Sequence, residues 1–157
     1  MAAALSAAGA PAPASIGLIL ADDAELSALN RAHMGAQGPT DVLSFPLLSP
    51  TSYRPTAPAT PEVFRLPPGR RVHLGDVVVS VERAMVQARE GRGGHTGDVR
   101  WSPADELRLL VTHGTLHICG WDHAEPVEEA AMRRLEVELL GGGQGRPPKF
   151  GSIANTS

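Results

Sequence analysis

The hydrophobic and polar positions of the chain predict three short strands and four helices, divided by proline, glycine and hydroxyl-rich punctuation. Ile16 to Leu20 is an unbroken apolar run and predicts a buried strand. Asp22, followed three residues later by Glu25, has the form of a capping box. It predicts a helix with Leu26, Leu29 and Asn30 along one side, ending near Gly35. Pro39-Thr40-Asp41 predicts a turn into a second strand, Val42 to Phe45, stopped by Pro46. Leu74 to Val79 predicts a third strand, and its β-branched run predicts burial on both faces.

Ser80 then predicts a helix start, with Val81, Ala84, Met85 and Ala88 at the spacing of a sheet-packed face and Gly91, Gly93 and Gly94 as its end. Ser102 with Pro103 just inside is a second helix start, supported by Asp105 and Glu106 in the first turn. Its buried stripe is Leu107, Leu110, Val111, Gly114 and Ile118. A last helix runs from Pro126 through Leu140, with Met132, Leu135 and Leu139 inward.

What lies between and beyond these elements reads as irregular. Residues 1–14 are mostly Ala, Pro and Gly and predict a flexible leader. Residues 47–69 hold Pro50, Pro55, Pro58, Pro61, Pro67 and Pro68 among Ser, Thr and Ala, and predict a long loop insertion. Residues 141–157 predict a flexible tail. The folded unit is therefore expected over 15–140. Its order, strand, helix, strand, loop, strand and three helices, predicts an α+β domain with a small mixed sheet packed by helices.

Composition narrows the function classes. The net charge of −3 does not announce a nucleic-acid-binding domain, although a local basic groove is compatible with it. The single cysteine, Cys119, excludes an intrachain disulfide framework and fits a reducing compartment. The first residues lack the basic segment of a secretory signal and the arginines of a transit peptide. No apolar run is long enough to span a bilayer. A cytoplasmic location is expected, with no membrane partner.

The chemistry concentrates in His113-Gly-Thr-Leu-His117-Ile-Cys-Gly120-Trp-Asp-His123. Histidines four apart lie on one helix face. Gly120 can take the left-handed conformation that ends a helix and turn the chain back with a third imidazole. Three nitrogens leave a fourth tetrahedral position open, as in catalytic zinc sites. Zinc is the expected ion, one per chain, while nickel, copper and iron also accept nitrogen. A structural metal would need a fourth ligand, Asp122 or Cys119. On a continuing helix Cys119 points away from His117 and suits small buried filler. Asp122 is alternatively an orienting partner for an imidazole. Zinc peptidases with a similar spacing place a glutamate after the first histidine as general base, where this chain has Gly114. Peptide hydrolysis is therefore disfavoured. His33, His73 and His95 are scattered, and surface positions are expected for them.

The motif H-G-x-L-H-x-x-G-W-D-H resembles the signature of the YbeY family of bacterial rRNA maturation factors. Pro39-Thr-Asp-Val-Leu-Ser-Phe-Pro46, Leu74-Gly-Asp-Val77, and Met132 with Glu136 resemble three further family segments in the right order. The resemblance runs from about Ser15 to Leu140. It implies a zinc-dependent, single-strand-specific endoribonuclease acting in rRNA processing and ribosome quality control. The partners it implies are single-stranded rRNA and the ribosome or its proteins, not DNA. It carries the metal role onto His113, His117 and His123 and leaves the general base unassigned. The chain departs from the family pattern in three places. Met34 stands where the family has an arginine, with Arg31 one helical turn away. The Ala-rich start is too short for the family's first strand and helix, and the 47–69 insertion is unusual.

Two other readings accompany this one. A catalytically weak or inactive metal-stabilised protein of ribosome assembly is suggested by Met34 and the acidic balance. A zinc hydrolase of another substrate is weakened by Gly114. Arg31, Arg70 and Arg71 are candidate phosphate contacts, while Thr40, Asp41, Ser44 and Asp76 are expected in turn and strand chemistry.

Overall fold

A computed structural model describes residues 1–38, 40–49, 67–90 and 102–141. Along these residues run α1 (Ala2–Ala7), β1 (Ala14–Ala21), α2 (Asp23–Met34), β2 (Val42–Pro46), β3 (Val72–Ser80), α3 (Val81–Arg89), α4 (Pro103–Ile118) and α5 (Pro126–Gly141). The sheet order is β1-β3-β2, with β1 parallel and β2 antiparallel to β3. This is the expected α+β architecture with a small mixed sheet.

β3 takes the centre because its sequence can be buried on both faces. Leu74, Val77 and Val79 pack with Ala84 of α3 and with Leu110 and Ile118 of α4. Val78 points to the opposite face, as strand alternation requires, and joins Ala21, Leu43 and Leu26 of α2. The two sets stay on their faces because β3 carries a bulge against β1: Ser15 lies opposite His73, but Gly17 lies opposite Asp76. Gly75 sits in this irregularity at φ +148°, where a Cβ would lie 2.3 Å from the Phe45 carbonyl oxygen. The glycine of Leu74-Gly75-Asp76 is thus a backbone requirement.

α4 is covered twice. One side packs on the sheet. The other carries Leu116 and Cys119 into a second cluster with Met132 of α5 and with Ala4 and Ala8. That second cluster corrects the reading of 1–14 as a flexible leader. Its first residues form α1, and Ala4 and Ala8 are 2% and 3% exposed. Alanine favours helix, and its small side chain lets the α1 backbone come close to α4.

Two further expectations change. The Ile16–Leu20 run is not buried, because β1 is an edge strand among the described residues: Leu18, Ile19 and Leu20 are 43%, 51% and 57% exposed. A short apolar run does not say whether its strand is central. In α3, Ala84 and Ala88 are buried, but Met85 is exposed, so the packed face is narrower than its apolar pattern.

The capping box of α2 is present. The Asp22 carboxylate accepts from the Glu25 backbone N–H, Glu25 accepts from that of Asp22, and Gly35 ends the helix at φ +63°. Pro39, residues 50–66 of the predicted insertion, Gly91, Gly93 and Gly94, and residues 142–157 of the predicted tail lie outside the described residues. Among the described residues no helix is long and apolar enough to cross a membrane.

Candidate metal centre

The centre is built on α4, which its sequence starts sharply. The Ser102 hydroxyl oxygen accepts from the Asp105 backbone N–H, the Asp105 carboxylate accepts from that of Ser102, and Pro103 opens the first turn. The Ser102 hydroxyl bond, above all, lowers the Asp105 pKa and keeps this carboxylate ionised beside the helix N-terminus. Ser102→Ala is expected to destabilise the protein by about 1 kcal/mol. Urea unfolding would show this, with metal affinity unchanged because the histidines lie more than two turns away.

The level of α4 on the sheet is set at Gly114. A Cβ there would lie 2.6 Å from Val77 Cγ1 and 3.1 Å from Val42 Cγ2. The Ser44 hydroxyl donates to the Gly114 carbonyl at 2.9 Å, tying β2 to the residue after His113. At its other end α4 closes with a left-handed glycine. Gly120 has φ +83°, its N–H bonds to the His117 carbonyl, and the Trp121 N–H reaches back to the Leu116 carbonyl. That is the Schellman pattern, and it returns the chain so that His123 faces His113 and His117.

The three imidazoles form one cluster. His113 Nε2 and His117 Nε2 are 3.0 Å apart, and one ligand nitrogen from each of the three rings lies within 4.8 Å of the others. Two imidazole nitrogens bound tetrahedrally to zinc sit roughly 3.3–3.5 Å apart at ordinary bond lengths. The donor set therefore fits a metal ion with small side-chain adjustments. Cys119 and Asp122 lie outside this group. Cys119 is buried in the α1–α4–α5 cluster, and Asp122 accepts the His123 backbone N–H at 2.7 Å.

Glu136 completes the arrangement, and sequence reasoning gave it no role. It is 3% exposed on α5, and its Oε1 lies 2.6 Å from His113 Nδ1. A carboxylate at that distance holds the proton on Nδ1 and leaves the Nε2 lone pair turned toward His117. The available signal was a glutamate one turn beyond Met132, on the inward stripe of an otherwise amphipathic helix.

Burial pushes the His117 pKa down to about 4, with the positive charge of His113 and His123 adding to the shift. A neutral His117 at physiological pH is the form that can donate to a metal. It also fixes the sign of a pH effect. In the unfolded chain His117 gains its proton near 6.5, whereas the folded chain resists until about 4. Acidification through that window favours the unfolded state. The chelated protein is therefore expected to unfold at lower urea concentration at about pH 5 than at about pH 7. His117→Ala should flatten that dependence.

The remaining candidates fall elsewhere. Met34 is 52% exposed at the end of α2, and Arg31, Arg70 and Arg71 are exposed. Thr40 bonds to the Val42 carbonyl, and the Asp41 carboxylate accepts from Gln87 Nε2. His33 meets the Phe45 ring edge-on, and His73 bridges Ser15 and Asp76, each at 3.1 Å. His95 lies outside the described residues.

A family model described as "Endoribonuclease YbeY" matches residues 1–142. A relative of that name from Symbiobacterium thermophilum is 38% identical over 138 residues, covering 88% of this chain and 77% of its own. Another from Roseiflexus sp. (strain RS-1) is 40% identical over 129 residues, 82% of this chain and 69% of the relative. One from Chloroflexus aggregans is 41% identical over 137 residues, 87% and 78%. The solution structure of TM1509 from Thermotoga maritima matches with a TM-score of 0.49 at 20% identity, over 98% of this chain and 85% of that one. On the extent of the family match and the identity of these relatives, the chain belongs to the YbeY endoribonuclease family.

Proposed function

We propose that this chain is a zinc-dependent, single-strand-specific endoribonuclease that acts in the cytoplasm on rRNA, in its maturation and in ribosome quality control. One observation carries the reading: three imidazole nitrogens within 4.8 Å of one another, one ring backed by a buried carboxylate, in a chain of this family. His113, His117 and His123 hold one zinc ion per chain. Zinc, when bound, supplies Lewis-acid polarisation of the scissile phosphate.

The protein's own residues prepare that site. Glu136 fixes the His113 ring so that Nε2 faces inward, and burial keeps His117 neutral. Ser44 and the bare Gly114 hold the helix that carries both rings against β2 and β3. Gly114 packs against Val77, where a peptidase of similar spacing would need its glutamate, so the site favours a phosphodiester over a peptide. The folded catalytic unit begins with α1 rather than at residue 15, because Ala4 and Ala8 close the cluster behind α4.

The test is incubation of the zinc-loaded full chain with single-stranded small-subunit rRNA fragments, beside a chelated sample and a duplex of the same sequence. Cleavage of the single strand alone, lost on chelation and restored by zinc, is the expected result. Cleavage that survives chelation refutes the metal-dependent reading.

Met34 favours a second reading, a metal-stabilised ribosome-assembly protein with little cleavage of its own. A thioether cannot bind a phosphate. If zinc is held and no RNA is cut, Met34→Arg is expected to raise cleavage above background.

A further inference from the structure

α5 carries an arginine beside the metal centre. The helix divides along its length. Leu135 and Leu139 lie on one side of Met132 and pack into the cluster behind α4. Glu136 lies on the other side and meets His113. At about 3.6 residues per turn, Glu129 and Arg133 fall on the same side as Glu136. Arg133 is one turn from Glu136, so their Cβ atoms are about 5–6 Å apart. Its side chain is half-buried, whereas Arg134, on the far side of the helix, is exposed. Among the described arginines only Arg133 stands one helical turn from a residue of the centre.

The surface around Arg133 is shaped. A shallow pocket of about 380 Å³ is lined, among the described residues, by Pro126, Glu129, Ala130 and Arg133. Pro126 follows His123 by three residues, so the pocket begins where the chain leaves the histidine cluster for α5. It adjoins the centre twice, through the chain at Pro126 and through the helix at Arg133. Glu129 Oε1 accepts from Arg133 Nη2. That bond takes one of the five N–H donors of a guanidinium, and no second acceptor meets Arg133 among the described residues. An i, i+4 pair at the surface holds weakly and gives way to a better anion. A phosphodiester is such an anion, because its two free oxygens match the guanidinium fork. A shallow site suits a strand that passes through more than a small molecule that needs enclosure. Exposed Glu125 and Glu128 leave α5 without a basic face, so the contact is to one phosphate and not to a long stretch of backbone.

We propose, resting on the endoribonuclease reading of the centre, that Arg133 binds a phosphate of single-stranded RNA next to the one cut at the histidines, displacing Glu129, and that the pocket seats the intervening nucleotide. Glu129 is then a competitor for the arginine, and it sets the affinity for RNA without touching the chemistry.

Binding of a short labelled single-stranded RNA to the zinc-loaded full chain is followed by fluorescence anisotropy over a salt series, read before cleavage sets in, with cleavage of the same RNA measured beside it. Arg133→Ala is expected to weaken binding about five- to tenfold and to lower the slope of log K against log salt by about 0.7, the share of one phosphate on a single strand. It should raise KM with kcat little changed. Arg133→Lys should keep the salt slope and recover part of the affinity. Glu129→Ala should tighten binding by a few-fold, the opposite of what loss of a merely structural ion pair would do. Arg134→Ala removes the same charge from the far side and should leave affinity within about twofold. Metal content and thermal unfolding show that each variant is loaded and folded. RNA bound as well by Arg133→Ala at every salt concentration, or more weakly by Glu129→Ala, overturns the proposal even where cleavage is normal. An RNA that does not bind overturns it too. Binding that depends on Arg133 with no cleavage supports the contact and counts against the nuclease reading instead.

Discussion

His117→Ala is expected to release the metal and to reduce RNA cleavage by about 10³-fold or more, the scale of losing a site's main electrostatic element. His117 is the central donor of the cluster. Its Nε2 lies 3.0 Å from that of His113, and its ring is 5.1 Å from that of His123. Without it, the other two rings meet at a centroid distance of 5.8 Å, and the site falls to two protein nitrogens. The fold should survive. His117 lies in the last turn of α4, and removing a half-buried imidazole that resists protonation takes a destabilising group out of the metal-free protein at low pH. Metal content by elemental analysis, circular dichroism of the chelated protein and cleavage of single-stranded rRNA check the three parts. A variant that still binds one equivalent of metal as tightly as the parent would falsify the assignment of His117 as a ligand.

Glu136→Gln should weaken metal binding by roughly 10–100-fold, the range for partners that orient a ligand. The glutamate is buried on α5, and its 2.6 Å contact with His113 Nδ1 places its charge where the ring proton must stay. Glutamine has the same shape, but it can present an amide N–H₂ to Nδ1. That favours the tautomer with its proton on Nε2, the nitrogen the metal needs. Competition with a chromogenic chelator measures the affinity, and cleavage by the variant should recover in excess zinc. Stability of the chelated variant should not fall, because a neutral side chain is cheaper to bury than a carboxylate. Unchanged affinity would leave Glu136 a packing residue and nothing more.

The two variants differ in how visible their residues were in the sequence. His113, His117, Gly120 and His123 could be read directly, because helix periodicity and a left-handed glycine act over a few residues and leave little room for alternatives. The caps at Asp22, Ser80 and Ser102 were legible for the same reason, since each is a bond between a side chain and a backbone group three residues away. Glu136 was not. Its partner is 23 residues distant on another helix, and the inward stripe of Met132, Leu135 and Leu139 does not say which residue of α4 it meets.

Burial divides along the same line. The valines of β3 announced a central strand, because three consecutive β-branched residues need cover on both faces. The I-G-L-I-L run looked equally apolar and became an edge. Strand order is decided by which neighbours arrive, not by a strand's own composition. α1 was misread because alanine, proline and glycine suggest a loose segment, and only the packing of Ala4 and Ala8 beneath Leu116 and Met132 gives those alanines a place.

The sequence by itself determined much of the local structure: where α2, α3, α4 and α5 start, where α2 and α4 stop, which strand is buried on both faces, and that three imidazoles converge. Those follow from interactions between residues a turn or two apart. Tertiary structure alone decided the carboxylate behind His113, the register shift that requires Gly75, the closeness of α4 to the sheet at Gly114, and the place of β1 at one end of the described strand order. Each of these depends on contact between segments far apart in the chain, and that contact exists only once the sheet and helices have packed.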